Sequence, residues 1–166
     1  PRNITEGFPQ HYGITSLGNT VMAAHAFKRG KYWLIRLSLP PDSSAPAQLR
    51  RHIREAAVYT GFAEDALGSM LIGATEACSN AVRHGSYSET DSIEASIQAK
   101  SNEMIIRLLY KTTPFVLTNP GIPNLSEYIH VGHGHYLMRE SLDEIHYYFR
   151  KGSVLARLVK RTRHKN

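Results

Sequence analysis

The chain has little cysteine, no long apolar run and no internal repeat. Cys78 is its single cysteine, which excludes an internal disulfide. It lies on the apolar side of a helical pattern, where we expect a buried thiol in a reducing compartment. No stretch approaches the roughly 18 to 20 apolar residues that span a membrane, and the first residues lack the layout of a secretory signal. These absences predict a cytoplasmic protein without a membrane segment.

The charge of the chain is basic, but it lacks the pattern of a nucleic-acid-binding protein. The formal net charge of +6 permits contact with nucleic acid or with acidic protein surfaces. Much of the excess lies near the C-terminus, at Arg157, Lys160, Arg161, Arg163 and Lys165. No basic stripe with interleaved aromatic residues accompanies these cations. We therefore expect a solvated basic tail and no direct contact with nucleic acid.

Length and turn-forming residues predict a single domain with short flanking segments. A chain of 166 residues can bury one sizeable core and is too short for two. Residues 1–30 contain many turn-forming residues without a clear period, which predicts an N-terminal extension. The domain is predicted over residues 31–161, and residues 162–166 are predicted to form a basic tail.

Hydrophobic periodicity predicts the order of helices and strands. The predicted elements are a strand over about 33–39, helices over about 46–60 and 64–84, a strand hairpin over about 92–110, a loop over about 111–133, a short helix over about 134–142, and a second hairpin over about 145–158. This order predicts an α+β fold. We expect a two-layer α/β sandwich whose helices cover one face of a mixed, mostly antiparallel sheet.

The second predicted helix carries polar residues opposite an apolar stripe. Glu76 and Asn80 are four residues apart, so they lie on one helical face, and Arg83 falls on the same side. A carboxylate and a carboxamide held together can serve as a proton acceptor and as a metal or water ligand. The alternative is ordinary solvation of a surface helix, because most surface helices carry a polar face.

Two glycines precede the short helix. Gly132 and Gly134 flank His133, and glycines at a helix N-terminus allow a phosphate to approach the backbone closely. The free N–H groups at that terminus attract anions. Taken alone, this pair is only a weak indication of a nucleotide site.

Three segments together resemble the anti-sigma-factor serine kinases of bacterial partner-switching systems, which belong to the Bergerat-type ATPases. They are the asparagine-box-like run from Glu76 to Gly85, the Gly132-x-Gly134 helix start, and the ending from Asp143 to Lys160. The resemblance covers about residues 31–161. It implies an α/β sandwich that binds ATP between the helical layer and a lid.

The resemblance also implies roles for individual residues. Glu76 would be the general base that accepts the proton of a partner's hydroxyl, and Asn80 would hold Mg²⁺. Arg83, Gly132 and Gly134 would contact the nucleotide. The implied reaction is phosphoryl transfer from ATP to a small anti-sigma-factor antagonist. The implied partners are this antagonist or a sigma factor, with a homodimer as a further expectation.

The adenine-binding motif of that family is altered in this chain. The family places an Asp-x-Gly motif at the end of the strand before the lid, where Tyr110, Lys111 and Thr112 stand here. Tyr110 replaces the carboxylate, and Thr112 adds a β-branched side chain at the glycine position. Losing one charge-assisted hydrogen bond costs roughly 1.5 to 3 kcal/mol, or about 10- to 150-fold in affinity.

Two hypotheses of different classes follow. One is a regulator that captures its protein partner while its use of ATP is impaired or lost. The other is an active serine/threonine kinase with unusual recognition of adenine. A sensor histidine kinase is a weaker alternative, because no long dimerisation helix with a phospho-accepting histidine is present in the sequence.

Three histidines in the predicted loop and helix start raise the question of zinc. His130, His133 and His135 do not match the spacing of a known zinc site, and no cysteine lies near them. We therefore expect them to be free of metal.

Overall fold

The computed structural model describes residues 15–17, 20–27, 30–112, 133–150 and 152–162 of the chain, with side chains for 31–112, 136–149 and 152–162. The elements, in chain order, are β1 (Thr15–Leu17), β2 (Thr20–Phe27), β3 (Gly30–Leu39), α1 (Ala45–Thr60), α2 (Glu64–His84), β4 (Ile93–Ala99), β5 (Glu103–Lys111), α3 (His133–Ser141), β6 (Glu144–Arg150) and β7 (Ser153–Arg161).

The strands form one sheet, and the helices lie on one of its faces. The strand order is β1-β2-β3-β4-β5-β7-β6, and every described pair is antiparallel. The predicted two-layer α+β architecture is confirmed. The parallel pairs implied by a mixed sheet do not occur among the described strands.

Strands β1 and β2 were not predicted by the sequence pattern. They extend the sheet beyond β3 through backbone pairs such as Met22 with Ile35. Main-chain hydrogen bonds can hold a strand at a sheet edge without a strict alternation of apolar and polar side chains. The hydrophobic periodicity of the sequence therefore does not predict these two strands. The boundary between an N-terminal extension over residues 1–30 and a domain over residues 31–161 stays a prediction.

The core lies between the helices and the inner face of the sheet. Alternate residues of β3 are buried, among them Ile35 and Leu37, and they face the buried Leu49 and Ile53 of α1. The first helix ends at Gly61, whose φ of 70° is left-handed and whose N–H donates to the Ala57 carbonyl oxygen. Burial on one helical stripe and one sheet face is the pattern that the sequence predicted.

A glycine inside α2 determines how closely α3 approaches. Gly73 is buried in mid-helix, where glycine costs about 1 kcal/mol relative to alanine. A Cβ at this position would overlap the Leu142 side chain that follows α3. Gly73 therefore lets the end of α3 pack directly on α2, near the helical turns that carry Glu76 and Asn80.

Candidate functional site

The polar face of α2 brings three candidate residues together. Glu76 and Asn80 are half-buried and Arg83 is exposed, while Ala77 and Ala81 on the opposite side are buried in the core. The Arg83 Nη2 donates a hydrogen bond to Asn80 Oδ1 at 2.7 Å. Within the described part of the chain, the Glu76 carboxylate has no hydrogen-bond partner. The carboxylate and carboxamide oxygens are of the type that a hard cation such as Mg²⁺ prefers.

The two glycines predicted to contact phosphate are placed differently. Gly134 lies in the first turn of α3, which starts at His133, close to the predicted helix start. Gly132 lies outside the described residues, as does most of the predicted loop before it. Because α3 packs on α2, Gly134 lies on the helix that adjoins the Glu76 and Asn80 segment.

Thr112 connects the end of β5 to two other elements. Its backbone N–H donates to the Gly152 carbonyl oxygen at 3.0 Å, in the turn of the β6–β7 hairpin. Its hydroxyl donates to the His84 carbonyl oxygen at 3.0 Å. His84 is the last residue of α2, where carbonyl groups lack intrahelical partners. Thr112 thus acts as a structural link at a position where the resemblance expects a glycine.

Tyr110 is buried in the core beside two further tyrosines. It is 3% exposed, and burial raises the pKa of its phenol, with a smaller contribution from Tyr147 and then Tyr87. Burial also raises the pKa of Tyr147 to about 12. We call Tyr87, Tyr110 and Tyr147 the tyrosine cluster. All three phenols are neutral at ordinary pH, so the cluster fills this region with uncharged rings.

The other two members of the tyrosine cluster are fixed by their own contacts. The Tyr87 hydroxyl donates to the Ala81 carbonyl oxygen at 2.7 Å, and a Cβ at Gly85 would overlap the Tyr87 ring. The Tyr147 hydroxyl donates to the Met138 sulfur at 3.8 Å. The cluster therefore joins the end of α2 and the helix α3 to the sheet around Tyr110.

The loop after α2 is held by an ion pair that the sequence did not predict. Lys111 Nζ lies 2.5 Å from Asp91 Oδ1, and the Ser88 N–H and hydroxyl donate to the same carboxylate at 2.8 and 2.9 Å. Hydrogen bonds from Lys111 and Ser88 lower the pKa of Asp91 to about 2. Lys111 stands between Tyr110 and Thr112, so all three residues of the altered motif make structural contacts or are buried.

The three histidines that we expect to be free of metal lie outside the described side chains. His130 lies outside the described residues, and the side chains of His133 and His135 are not described. The described side chains contain no group of three or more histidine, cysteine, aspartate or glutamate residues that could hold a metal. Among the described helices, none has the length and apolarity needed to cross a membrane.

The fold is similar to that of a solved bacterial protein. The crystal structure of the RsbU and RsbW domains of Rv1364c from Mycobacterium tuberculosis matches with a TM-score of 0.57 and 16% sequence identity. The match covers 77% of this chain and 32% of that chain, so this chain spans about a third of its length. At this identity the likeness supports the fold alone. No curated protein matches the sequence.

The sequence itself matches a family model over most of its length. The model describes a histidine kinase-like ATPase domain, and it matches residues 39–159. This range runs from the end of β3 to β7 and includes Glu76, Asn80, Tyr110 and Thr112. The chain therefore belongs to the histidine kinase-like ATPase domain family.

Proposed function

We propose that this chain is an anti-sigma-factor-like regulator of bacterial partner switching, acting in the cytoplasm, whose use of ATP is impaired or lost. It binds a sigma factor or the antagonist of an anti-sigma factor as a stoichiometric partner. Membership of the ATPase domain family and the fold shared with a chain that contains an RsbW domain support this assignment. The observation that carries the loss of ATP use is the burial of Tyr110 and Thr112.

The adenine end of the expected site does not fit a nucleotide. Tyr110 is 3% exposed, so a base that took the place expected from the family would have to displace its ring from the tyrosine cluster. Removing a buried aromatic side chain from a core costs about 3 to 5 kcal/mol. The missing carboxylate costs roughly a further 1.5 to 3 kcal/mol. Together these terms weaken binding by more than about a thousandfold.

Thr112 adds a second obstacle at the glycine position. Its side chain is 5% exposed and its hydroxyl is committed to the His84 carbonyl oxygen. The resemblance expects a bare backbone here, against which the adenine ring lies flat. Moving Thr112 aside would break this hydrogen bond and the backbone bond to Gly152. A local rearrangement that admits a nucleotide would therefore cost the free energy of both hydrogen bonds.

An active kinase that phosphorylates an anti-sigma-factor antagonist is the second candidate, and the face of α2 favours it. Glu76, Asn80 and Arg83 lie together on this face, and the Asn80–Arg83 hydrogen bond holds two of them in place. In such a kinase, Mg²⁺ bound at Asn80 would supply charge neutralisation for phosphoryl transfer. Glu76 would accept the proton of the partner's hydroxyl. Arg83, Gly132 and Gly134 would hold phosphate oxygens.

Calorimetric titration of the chain with Mg-ATP separates the two candidates. The proposed regulator gives no binding heat up to millimolar ATP. Micromolar binding that is abolished in Asn80→Ala would contradict the proposal and establish the kinase candidate's nucleotide site. Far-UV circular dichroism of both proteins is the control for folding, because Asn80 lies on a helix whose opposite side is in the core.

A further inference from the structure

The face of the sheet that points away from the helices carries a row of arginines. Arg36 of β3 pairs in register with Ser96 of β4, and Ser96 pairs with Arg107 of β5. Arg107 pairs in turn with Arg157 of β7. All four residues stand between buried neighbours on their strands, so their side chains point to the outer face. We call Arg36, Ser96, Arg107 and Arg157 the basic row.

Carboxylates of the chain balance only part of the charge of the basic row. Arg36 is exposed, and in the described part of the chain its guanidinium has no hydrogen bond or ion pair. Arg107 donates to the neutral Gln98 amide oxygen at 3.4 Å, and no described carboxylate pairs with it. Arg157 donates to Glu144 at 2.8 Å. Two of the three arginines therefore lack a carboxylate partner among the described residues.

The basic row also contains a pair of like charges. Arg107 and Arg157 are directly opposite each other, an arrangement that destabilises a sheet. Glu94 of β4 is on the same face, but its Oε1 accepts from Ser38 at 2.9 Å and from Ser92 at 2.6 Å. Departures of this kind from favourable pairing are expected at functional surfaces. An anion supplied by another molecule would relieve the repulsion.

Exposed apolar side chains lie directly beside the basic row. Leu109 of β5 pairs in register with Leu155 of β7, and Leu155 pairs with Tyr148 of β6. Leu109 is 44% exposed, Tyr148 is 53% exposed and Leu155 is half-buried. We call these three residues the apolar row. The solvated face of an antiparallel sheet is usually polar, whereas arginine and aromatic residues are enriched where proteins bind one another.

We propose that the basic row and the apolar row together bind an acidic amphipathic helix of the protein partner. Carboxylates of this helix pair with Arg36 and Arg107, and its apolar side chains cover the apolar row. The inference deepens the proposed function, on which it rests, because it names the chemistry of the partner segment and the surface that receives it. This surface lies on the other side of the sheet from α2, so it is distinct from the candidate nucleotide site.

The spacing of the two rows fits a helix that crosses the strands. Neighbouring strands are about 4.8 Å apart, and an α-helix repeats every 5.4 Å or so. Successive turns of the helix therefore place one side chain over each successive strand. The two rows are two residues apart along each strand, or about 7 Å. A helix with side chains is about 10 to 12 Å wide, so a single helix covers both rows.

Charge complementarity favours this partner over two other occupants of the face. A second copy of the chain that packed on the same face would bring two basic rows together, and like charges in contact weaken an interface. A nucleic acid backbone would meet the carboxylates of Glu94, Glu103 and Glu144, which are on the same face. It would also leave the aliphatic Leu109 and Leu155 without an apolar partner.

Two labelled synthetic peptides test the proposal on the full, unchanged chain by fluorescence anisotropy. The first is an amphipathic helix with glutamates in one column and leucines in the adjacent column. The second is identical except that lysines replace the glutamates. We expect the glutamate peptide to bind about tenfold more tightly or better, and we expect added salt to reduce the difference because it screens exposed charges. Equal affinity of the two peptides contradicts the proposal.

Charge reversal locates the binding surface with a matched control. The double substitution Arg36→Glu and Arg107→Glu is expected to weaken binding of the glutamate peptide by about tenfold or more. The double substitution Arg51→Glu and Arg54→Glu changes the net charge by the same amount on α1, on the other side of the sheet. We expect it to leave binding unchanged, with circular dichroism to confirm that both variants are folded.

A second pair of variants tests the apolar row. Leu109→Ser removes an apolar side chain that the peptide covers, and we expect it to weaken binding by about fivefold. Val58→Ser makes a similar change at a residue of α1 that is 83% exposed, and it is expected to leave binding unchanged. Equal effects of the two substitutions would contradict the assignment of the apolar row.

Three further results would overturn the proposal. Equal weakening by the two double reversals would attribute binding to net charge alone. A DNA duplex that binds as tightly as the glutamate peptide would show a surface for polyanions in general. A chain that sediments as a dimer, but as a monomer when it carries Leu109→Ser, would show that a second copy covers the face. None of these measurements involves ATP, so failure of this proposal is distinguishable from failure of the proposed loss of ATP use.

Discussion

The Thr112 hydroxyl donates to the carbonyl oxygen of His84 at 3.0 Å, although 28 residues separate them in the chain. This bond joins the end of β5 to the C-terminal end of α2. The same threonine replaces the glycine that the family resemblance expects. The residue that is proposed to obstruct adenine is thus also a residue that holds two elements of the fold together.

We expect Thr112→Val to lower the free energy of unfolding by about 1 kcal/mol. Valine keeps the β-branched shape but loses the hydroxyl, so the effect isolates the hydrogen bond to His84. Urea unfolding measures the change, with Thr90→Val as control, since Thr90 is exposed and makes only a 3.4 Å contact with Ser88. Equal stability of Thr112→Val and the unchanged protein would show that the bond contributes nothing.

We expect alanine substitutions at two glycines of α2 to change the stability of the protein in opposite directions. Gly73→Ala adds a methyl group that overlaps Leu142, and overpacking of this kind costs typically about 1 to 3 kcal/mol. Gly68→Ala meets no atom within 4 Å, so we expect it to stabilise the helix by about 0.5 to 1 kcal/mol. Thermal unfolding compares the two variants. If Gly73→Ala were as stabilising as Gly68→Ala, the close packing of α3 on α2 would be wrong.

The tyrosine cluster predicts a loss of stability at alkaline pH. Burial raises the pKa of Tyr87 and Tyr147 to about 12, whereas unfolded tyrosine titrates near 10. Between these values the unfolded chain has lost protons that the folded chain retains, so the free energy of unfolding falls as pH rises from about 10 to about 12. Below about 10 this contribution is fully present.

Tyrosinate absorbance during a pH titration checks this expectation. The phenols of Tyr87 and Tyr147 should titrate above pH 10, and their titration should coincide with unfolding. In Tyr147→Phe the alkaline loss of stability should be smaller. Titration of all tyrosines together near pH 10, before any unfolding, would contradict the packing of the cluster.

The hydrophobic periodicity of the sequence was sufficient to predict most of the helices and strands. The helix predicted over about 64–84 is observed at Glu64–His84, and the one predicted over about 46–60 at Ala45–Thr60. Both have a strong apolar stripe, and Gly61 ends the first in a left-handed conformation. The placement of Glu76 and Asn80 on one face also follows from local geometry, because residues four apart are neighbours on any helix.

The contacts of the altered motif could not be predicted in this way. The bonds from Thr112 to His84 and from Lys111 to Asp91 join residues 28 and 20 positions apart, and no local period encodes such distances. The alternation of β5 places Tyr110 on the inner face, but its neighbours Tyr87 and Tyr147 come from a loop and from another strand. Strands β1 and β2 were missed because edge pairing with β3 depends on the backbone.

In the proposed function, Tyr110 and Thr112 take the place of adenine. A parallel Mg-ATP titration of the unchanged protein and of Tyr110→Asp with Thr112→Gly tests it most directly, with circular dichroism to confirm that both are folded. We expect no binding heat for the unchanged protein and measurable binding for the double variant. Micromolar binding by the unchanged protein, or a folded double variant that binds no nucleotide, would contradict it.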